Sequence, residues 1–191
     1  MNDLASTGSW LAAGGWQTLS LLVLIGLLVA AAWVDVREHR IPNAIVFPGT
    51  VFALLMAHLP GGSLAGALVG IAVGLAMSFP LHWLKAMGAG DVKLMGMVGA
   101  FVGGSEMFAT ALVIFVVGGV LGLVAVARRH AFAQLAINLK QMALGGLTNS
   151  MAGSGPAIEA PARSIGVQPY GVAIAAGTIL YLAVARGGTF L

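Results

Sequence analysis

Gly88-Ala89-Gly90-Asp91-Val92-Lys93-Leu94, continued by an apolar run to Val102, is the stretch that decides how the chain is read. A Gly-x-Gly turn leads straight into an aspartate. The run from Val92 to Val102 is roughly half to two-thirds of the length that crosses a bilayer. It predicts a short helix whose N-terminal end, bearing Asp91, is drawn into the protein. Ionisable groups are expensive in membrane segments, so such a residue points to function by default. Asp35, another of the chain's three aspartates, also stands at the edge of an apolar run.

Composition sets the environment. Hydrophobic residues make up 59% of the 191 and charged residues 8%, with a mean hydropathy of +0.99. A soluble domain carries roughly 25% charged residues, so this chain cannot cover a water-facing surface and reads as a polytopic membrane protein. Its 28 glycines suit close helix–helix contact in lipid. The absence of cysteine excludes disulfides, thiolate zinc sites and cysteine nucleophiles. The net charge of +3 forms no patch for nucleic acid, because the basic residues flank hydrophobic runs. The lipid bilayer is the expected surrounding partner, and oligomeric state is left open.

Outward from the central stretch, apolar runs alternate with polar islands. Upstream, a first span covers about 17–34, a second 43–59 and a third 64–84, the last with Pro80 expected to bend it. The island Asp35-Val36-Arg37-Glu38-His39-Arg40-Ile41-Pro42-Asn43 separates the first two, and Pro42 fits the first turn of a new helix. Pro60-Gly61-Gly62-Ser63 is a turn. Residues 1–16 hold Asp3 and no basic residue, so they are not read as a secretory signal. Trp10 and Trp16 look like interfacial anchors.

Downstream, Gly103-Gly104-Ser105-Glu106 is read as a turn and 107–127 as a full span ending at Arg128-Arg129-His130. Phe132, Leu135, Leu139 and Met142 then recur at helical spacing, which suits a helix lying along the membrane surface. Residues 145–164 read as a loop, and a sixth span runs from about 169 to 185. No internal repeat is evident. The expected architecture is all-α: one membrane-embedded domain over 1–191 with six transmembrane helices and a short fourth. Residues 1–16 form an extension, and 128–167 a cytoplasmic loop with an amphipathic segment.

Six spans place Arg37, Arg40, Lys85, Lys93, Arg128, Arg129, Lys140 and Arg163 on one side and only Arg186 on the other. The positive-inside rule makes the first side cytoplasmic. Asp35 and Asp91 both fall there.

Two carboxylates brought close cannot both ionise cheaply, so the pair shares a proton. One carboxylate can then take a proton from water while the other donates to a scissile carbonyl, which hydrolyses a peptide bond without metal or cofactor. Gly88 and Gly90 would allow unusual torsions and close approach of a substrate strand. For Asp91 the competing reading is a helix N-cap at the membrane surface. For Asp35 it is a loop residue paired with Arg37 or Arg40.

Taken together, Asp35 followed by Ile41-Pro42-Asn43, then Gly88 to Leu94, resembles the type IV prepilin peptidase family of intramembrane aspartic proteases. Pro169-Tyr170-Gly171-Val172-Ala173-Ile174 is similar to that family's closing motif, and the likeness runs from about residue 17 to 185. The Gly-x-Gly-Asp turn is shared more distantly with presenilin-like and archaeal preflagellin peptidases. The resemblance implies that Asp35 and Asp91 are catalytic, with Pro42, Asn43, Pro169 and Gly171 as structural motif positions. It also implies cleavage of the basic leader of prepilins at the cytoplasmic face of the bacterial inner membrane. Larger members also methylate the new N-terminus, using an added N-terminal region with paired cysteines for zinc. With no cysteine and about sixteen residues before its first helix, this chain resembles the short form found with tight-adherence (Flp-type) pili.

Lys93 is placed to steady Asp91, or to snorkel to the interface. His58 and His82 read as hydrogen-bonded packing residues, with no metal site expected. The rival reading is a small proton- or cation-coupled transporter or channel subunit using Asp35 and Asp91. Such a protein places its ionisable groups near the bilayer midplane, often in matching repeats.

Overall fold

The computed structural model describes residues 15–59, 62–84, 86–128 and 170–187. Within them the regular structure is helical: α1 Trp16–Glu38, α2 Asn43–Ala57, α3 Leu64–Trp83, α4 Ala89–Val102, α5 Gly104–Arg128 and α6 Tyr170–Gly187. α1, α3 and α5 are long and apolar enough to cross a membrane, as a multi-pass protein requires; α2 and α6 are apolar but shorter. Their outward faces expose Leu22, Val29, Leu68, Val116 and Val120. Lipid can cover such side chains because each helix satisfies its own backbone polar groups.

The short helix sits at the centre. α4 has 14 residues, a rise of about 21 Å against a hydrocarbon core of about 30 Å, and it packs against every other helix. Leu94 through Ala100 are all buried, so no face of that segment is left for lipid or water. A helix enclosed in this way needs small residues where backbones meet. Gly70 of α3 and Gly99 of α4 face each other so closely that a Cβ on either would land on the other's carbonyl oxygen. Gly74 meets the Met95 carbonyl in the same fashion.

Several element boundaries differ from expectation. The four-residue turn at 103–106 contracts to Gly103, whose φ of +83° ends α4 in a region open to glycine at little strain. α5 starts at once, so Ser105 and Glu106 are helical. α1 continues past Val34 to Glu38 and takes in Asp35. α4 begins at Ala89, so Asp91 lies inside the helix and not in a turn before it. Pro42 occupies the N-cap of α2 with extended ψ (136°), one position before the first turn. α3 runs through Pro80 to Trp83. Residues 1–14, Lys85, the amphipathic stretch 131–144, the loop 145–164 and Pro169 lie outside the described residues.

Alternating directions bring the polar islands together. The C-terminal end of α1 and the N-terminal ends of α2, α4 and α6 meet at one end of the bundle, through Asp35–Gly171, Ile41–Gly90 and Asn43–Lys93 contacts. At the other end, Trp16, Ala57, Ser63, Gly66, Val102 and Gly103 are among the residues around a cavity of about 510 Å³.

Candidate active site

Asp91 is the third residue of α4, and its Oδ2 accepts the N–H of the N-cap residue Gly88 at 3.0 Å. This is the returning half of a capping box; Gly88 has no side chain with which to supply the other half. The carboxyl also stands at the positive end of the helix dipole. Asp91 thus caps its helix from inside, not from the N-cap position, and it is buried at 9% exposure.

Asp35 lies in the last turn of α1, 5% exposed. Its Oδ2 accepts the Gly171 N–H at 2.7 Å, a donor from the first turn of α6 that has no partner within its own helix. A Cβ on Gly171 would sit 2.8 Å from that same oxygen, so glycine is what lets the amide reach it. The pairing of Asp35 with Arg37 or Arg40 is not seen. Asp35 is helical and buried, and Arg37 turns back over the Trp33 ring, 4.4 Å from its centroid.

The two carboxyls lie within electrostatic reach of each other, yet each hydrogen-bonds a glycine amide instead of its counterpart. One oxygen of each is left without a protein partner among the described residues. Tyr170, the residue before Gly171, lies within reach of the Asp91 charge. Its ring fills a notch at Gly118 of α5, where a Cβ would stand 2.7 Å from its hydroxyl oxygen.

Two expected roles change. Gly88 adopts φ −72° and ψ 156°, which any residue tolerates, and among the described glycines only Gly103 has positive φ. Glycine at 90 serves close packing: a Cβ there would come within 3.1 Å of the Ile41 Cβ, so the polar island rests directly on the start of α4. Lys93 makes no ion pair with Asp91. Its Nζ donates to Asn43 Oδ1 at 3.1 Å and lies 5.6 Å from the Phe47 ring centroid. Lys93, Asn43, Pro42, Arg40 and Gly90 are among the residues around a cavity of about 370 Å³ beside the Asp91 turn. His82 bonds the Met87 carbonyl, in keeping with a packing role but with a specific partner.

Sequence reading missed the packing of Tyr170 against Gly118. Tyr170 was visible inside the closing motif. Gly118 carried only the weak signal of a Gly118-Gly119 doublet within an apolar span.

Comparison with known proteins gives the chain a family. The model of the type IV leader peptidase family matches residues 22–124, more than half of the chain. A prepilin leader peptidase/N-methyltransferase of Aeromonas salmonicida (strain A449) is 29% identical over 117 residues, covering 57% of this chain and 40% of the relative. Proteins of that name from Stutzerimonas stutzeri and Pseudomonas aeruginosa (PAO1) are 32% and 30% identical over 124 residues, each covering 61% of this chain and 43% of the relative. The chain therefore spans less than half the length of these curated relatives. No solved structure matches it. Both buried aspartates and the glycine turn fall inside the matched segment, and the chain belongs to the type IV leader peptidase family.

Proposed function

We propose that this chain is a membrane aspartic endopeptidase that removes the leader from prepilin-like substrates, with Asp35 and Asp91 as its catalytic pair. The observation that carries the reading is that two buried carboxyls from helices remote in sequence stand at the same end of the bundle, each held by one oxygen on a glycine amide. The other oxygens, which have no protein partner among the described residues, are the ones to meet water and substrate. The ionised carboxyl takes a proton from water, whose oxygen attacks the scissile carbon. The protonated carboxyl donates to the carbonyl oxygen. Collapse of the tetrahedral intermediate breaks the C–N bond as the first carboxyl returns its proton to the leaving amine and the second takes a proton back from a gem-diol hydroxyl, which restores the pair. The names of the curated relatives, prepilin leader peptidase/N-methyltransferase, favour this substrate class. Coupled transporters typically hold their ionisable groups near the bilayer midplane, whereas Asp35 and Asp91 stand at the ends of their helices.

The proposal includes six crossings, with α2, α4 and α6 completing the bundle, as one membrane-embedded domain in the bacterial inner membrane. The charge bias of the islands places the aspartates on the cytoplasmic side. Single cysteines at Gln17 and Arg128 test this, since no native thiol interferes. Position 17 should react with an impermeant reagent from outside, and position 128 only after lysis; the reverse pattern removes the assignment. The proposal is for proteolysis alone: the family resemblance ties methylation to paired cysteines, and these 191 residues hold none. The new N-terminal amine should therefore leave the enzyme unmethylated, which mass spectrometry reads directly.

The deciding experiment is co-expression with candidate prepilins. A mass loss equal to the leader, seen only with the intact pair, is expected. No loss with any prepilin-like substrate would end the reading.

A further inference from the structure

We propose that His82 is a positioning residue for Asp91, acting through the peptide group between Met87 and Gly88. The inference rests on the peptidase reading for its kinetic consequence and on geometry for the contact itself. His82 stands in the last turn of α3, and its Nδ1 lies 2.9 Å from the Met87 carbonyl oxygen. A carbonyl oxygen can only accept, so Nδ1 carries the hydrogen and the imidazole donates. The N–H of the next residue, Gly88, donates to Asp91 Oδ2 at 3.0 Å. The Met87 carbonyl and the Gly88 amide belong to one planar unit, with C=O and N–H pointing opposite ways. His82 and Asp91 therefore grip opposite edges of the same peptide plane.

Hydrogen bonds in such a chain polarise one another. Donation from the imidazole draws electron density toward the Met87 oxygen and makes the Gly88 N–H a better donor to the carboxyl. It also fixes the rotation of the plane, which sets where that N–H points. Other contacts hold the segment without orienting this edge of it. The Ala86 and Met87 amides both donate to the Leu81 carbonyl, at 2.9 and 3.2 Å, and the Met87 side chain is buried. The loop is thus anchored before His82 acts, and His82 adds orientation. No other side chain hydrogen-bonds this peptide group among the described residues.

The test uses His82→Leu, which keeps bulk and removes the donor, and His82→Asn, whose amide nitrogen takes the place of Nδ1. Cleavage of a prepilin should show kcat reduced about five- to tenfold in His82→Leu, the worth of one hydrogen bond, with KM unchanged and kcat restored to within about threefold in His82→Asn. Amide exchange of the 84–91 segment in the detergent-solubilised protein, which needs no activity, should rise in His82→Leu and not in His82→Asn. Wild-type kcat in His82→Leu, equal impairment of both variants, or unchanged exchange would each overturn the inference. If the unaltered protein cleaves no prepilin, the peptidase reading falls, and the exchange comparison alone still decides whether His82 holds this peptide.

Discussion

The two carboxyls are held by the same kind of donor, a glycine amide, drawn from opposite distances along the chain. Asp91 takes its N–H from three residues away, within the turn that starts its own helix. Asp35 takes its N–H from 136 residues away, across the α1–α6 contact. The first bond forms whenever α4 forms. The second exists only once α6 has docked. The site is therefore a fixed half and an assembled half: whatever loosens the bundle should disturb Asp35 before Asp91, and close packing around α6 should matter to chemistry at a carboxyl it does not carry.

The largest expected effect tests whether the halves are equals in function despite unequal construction. Asp35→Asn and Asp91→Asn should each lower leader cleavage on the order of a thousandfold, the scale of losing a general acid or base, with expression and membrane insertion retained. Cleavage within tenfold of wild type in either variant would remove that residue from the pair. Because the pair works only while one carboxyl is protonated and the other ionised, kcat against pH should be bell-shaped. A monotonic profile would argue against proton sharing.

Next is the scaffold of the fixed half. Gly70→Ala sets a methyl against the Gly99 carbonyl, where the contact is backbone and neither helix can yield by a rotamer change. Overpacking of this kind typically costs about 1–3 kcal/mol, and a backbone clash belongs at the upper end. Thermal unfolding in detergent should show the loss. Gly26→Ala, with nothing within 4 Å of the added carbon, is the matched control and should be silent.

How far the sequence discloses this arrangement follows the same division. Helix content, the islands and the short central helix were legible because apolar run length and charge placement are local properties. Asp91 at the head of a short helix was legible too, to within the few residues by which helix ends always vary. What escaped was contact between remote segments. Nothing near Gly118 announces that a tyrosine 52 residues on will occupy its notch. Lys93 reads from sequence as steadying Asp91 or snorkelling to the interface, yet residues two apart on a helix point to different faces, and its partner is Asn43, 50 residues back. The expectation of unusual torsions at Gly88 failed for a related reason. Glycine has two uses, conformational freedom and absence of bulk, and only three-dimensional neighbours tell which applies. Gly103 uses the first; Gly90 and Gly171 use the second.

A direct contrast between the halves comes from adding one methyl beside each carboxyl. In Gly171→Ala the new carbon would stand 2.8 Å from Asp35 Oδ2, 3.1 Å from its Cβ and 3.2 Å from its Cγ, so the whole side chain must move. In Gly88→Ala it would stand 3.1 Å from Asp91 Oδ2 and 3.9 Å from Cγ, which a small swing of the carboxyl relieves. Misplacing a reacting group by about an ångström can cost a hundredfold. Gly171→Ala should therefore lower kcat roughly ten- to a hundredfold, and Gly88→Ala about two- to threefold. Equal effects would mean that the two cradles are built with the same tolerance, contrary to the geometry.

Within the assembled half a smaller effect than that of Gly171→Ala, and a more specific one, is set off from α5. Gly118→Ala would place a methyl 2.7 Å from the Tyr170 hydroxyl oxygen and 2.9 Å from Cζ, forcing the ring out of its notch. Tyr170 opens α6, and its neighbour Gly171 supplies the amide that holds Asp35, so displacement of the ring pulls on that bond. A three- to tenfold fall in kcat is expected, since Tyr170 can shift part of the way without breaking the contact. Tyr170→Phe deletes the atom nearest the intruding methyl. Tyr170→Phe must be measured alone, and because Cζ and Cε2 still meet the methyl, the combination should show partial relief, a fall smaller than the product of the two single effects. That non-additivity is what coupling between touching residues produces. Gly119→Ala, one position on with nothing within 4 Å of its added carbon, controls for glycine replacement within α5. Multiplicative losses in the double variant, or a Gly118→Ala enzyme as active as Gly119→Ala, would show that docking of α6 onto α5 does not set the Asp35 half of the site.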